Sequence, residues 1–410
     1  MPASGTGTLA LHTSQKPEPG RGEITLVVAQ SPRYYPHVAR HLKSLKKTFA
    51  RVRLLYWEKD GREPVYAFPG VETERLVLPF GKGGTGFFLG LMAGFFFRLR
   101  RMRPESIEAI DPYALVPARL YSLGRGTRIA YFSMEYFSEL PSLRSKPLKR
   151  RIWKGLERWG ARGASAAATV CDSIAAHLRE DFRIPVVTVR NVPERNPEAG
   201  AGDGRPGALH ARCGLPADAP ILLYQGMLQE GRGLETALRA LPSAPGIHFA
   251  VIGGGPLLEP LRRLAAECGC AERTHFLGEV DFRELVSLTR GAFAGLAPFQ
   301  PLSASYRYSL PGKLFEYIQA GVPVVATALP EIRKVVEDYG VGICLESYGP
   351  ESLAAALRRL REDGALYESF RRNLARARAE LCWEAEEERY LSLYRPAPAD
   401  DLSGTRRPRR

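Results

Sequence analysis

From Glu23 onward, short runs of aliphatic and β-branched residues alternate with longer segments in which apolar positions recur every three or four residues. ITLVVAQ (24–30), VRLLYW (52–57), ERLVLPF (74–80), SIEAID (106–111), RIAYFS (128–133), AAATVC (166–171) and VVTVRN (186–191) read as strands. Helices are expected between them over 36–49, 86–102, 113–123, 147–162 and 173–181. Strands that are continuous apolar runs, spaced by amphipathic helices, predict a parallel sheet covered on both faces.

Residues 192–219 are dense in Pro and Gly and lack any period, so they read as an interdomain linker. A second alternation follows, with strands at 221–226, 248–253, 274–279, 294–299, 323–327 and 342–346. Helices are expected at 233–241, 256–268, 281–290, 312–320, 330–338 and 350–361, then a long helical stretch over 364–394. The fold class is therefore α/β, with two tandem Rossmann-like, doubly wound domains facing a cleft. Ligands of such sheets bind outside the carboxyl ends of the strands. The first domain is placed at 23–191 and the second at 220–380, with tails at 1–22 and 396–410.

Charge distinguishes the two halves. Residues 1–190 hold 31 Lys or Arg and 16 Asp or Glu (+15), while 191–410 hold 27 and 28 (−1), which together give the net +14. The first domain is thus expected to face something anionic. The segment RSKPLKRRIWKGLERWGAR (144–162) places eight Lys or Arg beside Trp153 and Trp159, a composition suited to an anionic membrane surface. No recognition-helix, RRM or zinc-finger pattern accompanies the charge, so nucleic acid is not expected as a partner. The longest apolar run, Phe87 to Phe97, has 11 residues, against the roughly 20 of a membrane-spanning helix. It reads as a buried helix, or alternatively as an interfacial one. Six scattered cysteines form neither a disulfide framework nor paired metal knuckles, and a cytoplasmic compartment is expected.

The chemistry concentrates in SLPGKLFEYIQAGVPVVAT (Ser309–Thr327). Ser309, or the turn at Pro311 and Gly312, opens a helix, Gly321 ends it, and Pro323 prevents its continuation. A helix N-terminus beside Lys313 suits a diphosphate. Glu316, about one helical turn further in (roughly 5.4 Å), could accept hydrogen bonds from ribose hydroxyls. GGGP at 253–256 lacks dinucleotide-binding spacing and reads as a close-packed turn.

PGKLFEYIQAGVPVVATALPEIRKVVEDYGVGICLE resembles the donor-binding signature of the GT-B glycosyltransferases of family 4. YQGMLQEGRGLETALRAL, VIGGGPLLEPL and FLGEV resemble that family's preceding blocks. Upstream, SPRYYPHVARHLKSL, IEAIDPYALVPARL, YFSMEYFSE and VRNVPE match it in character and order. The resemblance implies transfer of a sugar from a nucleotide-diphosphate sugar to a glycan or lipid-linked acceptor, with retention, in cell-surface polysaccharide or glycolipid synthesis. It makes Glu316 the ribose ligand, puts Gly226, Leu310, Pro311, Gly312 and Lys313 at the donor, and gives Arg232 the leaving diphosphate.

No metal and no cofactor beyond the donor is expected, since Arg232, Lys313 and the helix end supply the positive potential. Asp111 and Glu135, at the carboxyl edges of two strands, are acceptor-side candidates or helix caps. Residues 381–395 are expected to return to the first domain, and the protein is expected to sit peripherally at the inner face of the membrane. Three positions depart from the family pattern: Met134 stands where a His is common, Met227 where a second Arg is common, and Tyr308 where many members have a Glu. A catalytically silent binding homologue and a nucleotide-sugar epimerase of the same fold are the alternative readings.

Overall fold

The computed structural model describes residues 22–58, 61, 64–78, 84–195 and 207–395. Nearly all of the tails assigned to 1–22 and 396–410 lies outside the described residues, as does the middle of the expected linker.

The first sheet comprises β1 (Glu23–Val28), β2 (Arg51–Glu58), β3 (Glu72–Val77), β4 (Ser106–Ile110), β5 (Arg128–Ser133), β6 (Ala166–Thr169) and β7 (Val187–Thr188). All are parallel, in the order β3-β2-β1-β4-β5-β6-β7. The second sheet comprises β8 (Ile221–Gln225), β9 (His248–Ile252), β10 (Thr274–Gly278), β11 (Ala294–Ala297), β12 (Val324–Thr327) and β13 (Gly342–Leu345). It too is parallel, in the order β10-β9-β8-β11-β12-β13. The two-domain α/β architecture expected from the alternation is therefore present. Its central strands β1, β4, β8 and β11 are almost wholly buried because helices cover both faces, which is why they read as unbroken apolar runs.

Each sheet reverses its strand order once, between β1 and β4 and between β8 and β11. The ends of these four strands converge on one cavity, lined by Val28, Ile110 and Asp111 from one sheet and by Gly226 and Phe299 from the other. Switch points face each other across the cleft, the position at which open α/β sheets bind ligands.

Four local expectations are corrected. Part of the expected linker is ordered, since Ala208–Cys213 is a helix closed by left-handed Gly214, with Leu209 fully buried. Apolar burial there outweighs a Pro- and Gly-rich context. The last strand of the first domain is two residues long rather than six, and an unexpected short helix, Ala304–Arg307, precedes Tyr308. Trp153 does not face outward: it is 4% exposed and packs edge-on against Tyr113 and Phe137, ring centroids 4.8 and 5.3 Å away. Helix Pro147–Ala161 turns Trp153, Glu157, Gly160 and Ala161 inward at helical spacing, and leaves Leu148, Ile152 and Trp159 exposed.

Helix Gly84–Met102 likewise buries Phe87, Leu91, Phe95 and Leu99 at four-residue spacing while exposing Leu89 and Phe97. No helix among the described residues is long and apolar enough to cross a membrane.

The chain passes between the sheets twice. Helix Gly364–Glu380 ends at Leu381, and helix Trp383–Leu391 lies against the first domain. There Glu108, fully buried on β4, accepts hydrogen bonds from Tyr390 (2.5 Å) and Tyr394 (2.6 Å) and lies 2.6 Å from Nδ1 of His41. Trp383 Nε1 donates to Ser44 Oγ at 2.9 Å. The two crossings are bonded to each other: Trp383 N donates to Pro193 O at 2.8 Å, and Arg195 N donates to Glu384 at 2.9 Å.

Candidate active site

Helix Gly312–Ala320 begins at the cleft with Pro311 as its N-cap residue and ends on left-handed Gly321 (φ 77°). Ser309 does not cap it; its hydroxyl donates to Tyr306 O at 2.9 Å. The first N–H groups of the helix have no intrahelical acceptor and face the cleft end of the dipole. Lys313 follows at once, its Nζ 3.6 Å from the Tyr224 ring centroid and 5.4 Å from that of Phe299. Arg232 packs on the same aromatic group, its guanidinium carbon 4.2 Å from the Phe299 centroid and 4.9 Å from that of Tyr306.

Two cations thus share one aromatic frame, and neither forms an ion pair with a carboxylate among the described residues. Burial, and then the charge of Arg232, hold the Lys313 ammonium well below its ordinary pKa, with Glu316 opposing. An anion placed between Lys313 and Arg232 would relieve both effects.

The turns around this frame explain its glycines. Gly226 follows β8 at φ 132°, where an added Cβ would lie 3.1 Å from Lys313 Nζ. Gly253, in the GGGP turn, has φ 133°, and a Cβ there would fall 2.0 Å from the Gly226 carbonyl oxygen. The two loops touch backbone to backbone, so the GGGP segment is the close-packed turn its spacing suggested.

The cavity at the strand ends, about 340 Å³, is lined by Gly226, Arg232, Leu310, Pro311, Gly312 and Lys313, together with Asp111 and Glu135 from the opposite domain. Glu316 is not on this wall. It borders two adjoining cavities with Arg40, where it accepts a hydrogen bond from Gln225 Nε2. Gln225 is itself fixed by Thr289, whose hydroxyl donates to its Oε1 at 2.9 Å. Burial pushes the Glu316 carboxyl up, and Gln225, Lys313 and Arg40 oppose the shift.

On the first-domain side, Asp111 opens helix Asp111–Ser122 with φ 63°, a left-handed conformation unusual for a residue other than Gly. Its Oδ1 accepts from Met134 N at 2.9 Å. Burial raises its pKa to about 7, the Met134 bond opposing and Glu135 adding. Glu135 keeps solvent contact along the cleft yet is walled in by protein; that enclosure pushes its carboxyl up, against the pull of Arg232.

Tyr35, His37, Arg40 and Asn191 were not singled out in the sequence and all border these cavities. Arg40 donates to Asn191 Oδ1 at 2.5 Å, and burial lowers its pKa to about 10. His37 is 5% exposed and its Nε2 has no hydrogen-bond partner among the described residues; burial holds its pKa well below the ordinary value. Helix Pro36–Leu45 carries two of these side chains, and nothing in its own period marks them as cleft residues.

Comparison with known proteins places this arrangement in a class. Residues 208–377 match the family described as Glycosyl transferases group 1, and residues 33–195 match the Glycosyl transferase 4-like domain. The chain belongs to the group 1 glycosyltransferases of GT-B fold. It is similar to a D-inositol 3-phosphate glycosyltransferase of Acidothermus cellulolyticus, 32% identical over 202 residues, or 46% of this chain and 44% of that protein. It is also similar to the lipopolysaccharide core biosynthesis glycosyltransferase LpsE of Rhizobium meliloti, 28% identical over 40% of this chain and 46% of that protein. The chain spans about half the length of the curated relatives it matches.

Among solved structures, a sucrose-phosphate synthase of Thermosynechococcus elongatus superposes with TM-score 0.75 at 18% identity, covering 91% of this chain and 98% of that one. The Anabaena protein HepE in complex with UDP and glucose superposes with TM-score 0.68 at 15% identity, covering 94% and 100%. These similarities are of fold.

Proposed function

We propose that the protein transfers a sugar from a nucleotide-diphosphate sugar to a glycan or lipid-linked acceptor, with retention and without a metal ion, in cell-surface polysaccharide or glycolipid synthesis. The observation that carries this reading is the pair Arg232 and Lys313, half-buried on one aromatic frame beside a helix N-terminus, with no carboxylate ion-paired to either among the described residues. Cations held in this way favour the charge that develops on a diphosphate as the glycosidic bond breaks. Glu316, anchored by Gln225, is assigned to the ribose hydroxyls. Retention follows if the departing phosphate oxygen takes the proton of the incoming hydroxyl on the same face, which asks little of a protein base. Asp111 and Glu135 are then left to orient the acceptor from across the cleft.

The same reading seats the first domain on an anionic bilayer at the inner face of the membrane. Helices Gly84–Met102, Asp111–Ser122 and Pro147–Ala161 pack side by side. Leu89, Phe97, Leu120, Leu148, Ile152 and Trp159 are exposed on them, among the basic side chains of the +15 half. Apolar side chains beside Lys and Arg suit a headgroup interface, where each cation contributes about 1 kcal/mol.

The test is a donor screen with product analysis by mass spectrometry and NMR, run on the wild type and on Glu316→Ala. A transferase releases nucleotide diphosphate and forms a product with the donor's anomeric configuration, and the variant loses turnover while remaining folded. Unchanged turnover in Glu316→Ala overturns the site assignment. Conversion of the sugar with donor alone would identify an epimerase, and no sugar release from any donor a silent binding protein.

A further inference from the structure

A second cavity, about 520 Å³, lies between the domains and has no role in the donor site just described. Its walls are Ser138, Glu139, Leu140, Arg144 and Arg150 from the first domain and Pro301–Ala304, Arg307 and Tyr308 from the second. The segment 301–310 separates it from the donor cavity: Ser305, Tyr306 and Ser309 line the donor side, and Ser303, Ala304, Arg307 and Tyr308 the other. The first domain divides in the same way, with Met134 and Glu135 on the donor side and Ser138 and Glu139 on the far side.

Three guanidinium groups border this space against one carboxylate. Arg150 uses that carboxylate, donating to Glu139 Oε1 at 2.5 and 3.1 Å. Arg144 bonds only a carbonyl among the described residues, Leu302 O at 3.2 Å, a contact that crosses from one domain to the other. Arg307 lies near the Tyr308 ring, 5.9 Å from its centroid, with no carboxylate bonded to it among the described residues. Two cationic side chains, one from each domain, therefore border this cavity with no carboxylate paired to them among the described residues. Planar guanidinium forks match the oxygens of a phosphate group, and a phosphate has oxygens enough to meet both walls at once.

We infer that this cavity binds a phosphate group carried by the acceptor, held between Arg144 and Arg307. The anion-binding claim stands on the cavity alone; its assignment to an acceptor rests on the transferase reading. The donor diphosphate has its own cations, Arg232 and Lys313, on the other side of the 301–310 wall. A phosphate in the second cavity would join the two domains and bring the rest of its molecule to the edge of the donor cleft.

The experiment uses the full chain, first saturated with UDP or GDP to occupy the donor cations, and then titrated with inorganic phosphate by calorimetry. The wild type is compared with the Arg144→Gln, Arg307→Gln double variant, in which both replaced side chains are exposed. Phosphate is expected to bind the wild type and to bind the double variant at least about tenfold more weakly, the loss of one or more charge-assisted hydrogen bonds. Nucleotide affinity should be the same in both. Equal phosphate affinity in both proteins, or none in the wild type, overturns the proposal.

Competition then identifies the carrier. Displacement of phosphate by glucose 6-phosphate supports a soluble saccharide, displacement by phosphatidylglycerol vesicles supports a lipid-linked one, and displacement by neither overturns the acceptor assignment. Failure of both nucleotides to bind would count against the donor reading and leave the arginine dependence of phosphate binding to be read on its own.

Discussion

Lys313→Met separates what this side chain does for the fold from the part proposed for it at the donor diphosphate. In the free protein the ammonium is stacked on Tyr224 and repelled by Arg232; no carboxylate is ion-paired to it among the described residues, and burial and Arg232 outweigh the attraction of Glu316. Methionine has similar length and no charge, so the folded protein loses the attraction to Glu316 but also the larger burial and Arg232 penalties, and should not be destabilised electrostatically. With nucleotide bound, one charge-assisted hydrogen bond is lost, about 1.5–3 kcal/mol, or roughly 10- to 150-fold in donor affinity. At a ligand concentration 100 times the wild-type Kd, bound nucleotide stabilises the wild type by about 2.7 kcal/mol. A variant with a Kd about 100-fold higher gains only about 0.4 kcal/mol at that concentration, by the same linkage relation.

Thermal melts with and without UDP and GDP read the difference directly. An undiminished nucleotide-induced rise in Tm would refute the argument. The pH dependence supplies a second check. Because the folded-state pKa of Lys313 lies below its unfolded value of 10.5, the unfolded chain binds more protons between the two. Stability from this group therefore rises with pH through that window, and the methionine variant should lack that rise.

Other perturbations probe the frame around the site. Gly253→Ala should fail to fold or lose several kcal/mol, because its Cβ would fall 2.0 Å from Gly226 O, whereas Gly269→Ala, with φ 64° and open space, should cost only about 1 kcal/mol by urea denaturation. Glu108→Ala would leave two phenols and an imidazole without their buried acceptor, each costing about 1–3 kcal/mol; hydrogen exchange should show helix Trp383–Leu391 loosened first. Asp111→Asn keeps an oxygen for Met134 N and tolerates φ 63°. The native Asp111 binds more protons than the unfolded chain between pH 3.8 and about 7, so its contribution to stability falls as pH rises through that range. The asparagine variant should show a flatter Tm profile there, and an unchanged profile would contradict the burial of this carboxyl.

Both sheets were legible because their central strands are buried on two faces and therefore read as apolar runs in the sequence. The bounds of Gly312–Ala320 were legible too, since Gly321 in the left-handed region and the following Pro323 are stop signals of local origin. What the sequence did not disclose depends on partners distant in the chain. Gln225 meets Glu316 across 91 positions, and Arg40 meets Asn191 across 151. Trp153 looked like an interface residue because its neighbours are basic, but helical phase turns it toward Tyr113 and Phe137. The helix Ala208–Cys213 was hidden by its surroundings: six residues are too few for a period to show, and Leu209 earns its burial only from the domain it joins.

The bonded pair of crossings at Pro193–Arg195 and Trp383–Glu384 bears on how the protein can be recombined. The second domain is not a terminal block that one junction could exchange. Its far end is tied back through Trp383, Tyr390 and Tyr394 to Ser44 and Glu108 of the other half. A chimera that takes its second domain from a relative therefore needs two junctions, one on each crossing, and must keep residues 383–394 with the first domain whose surface they complete.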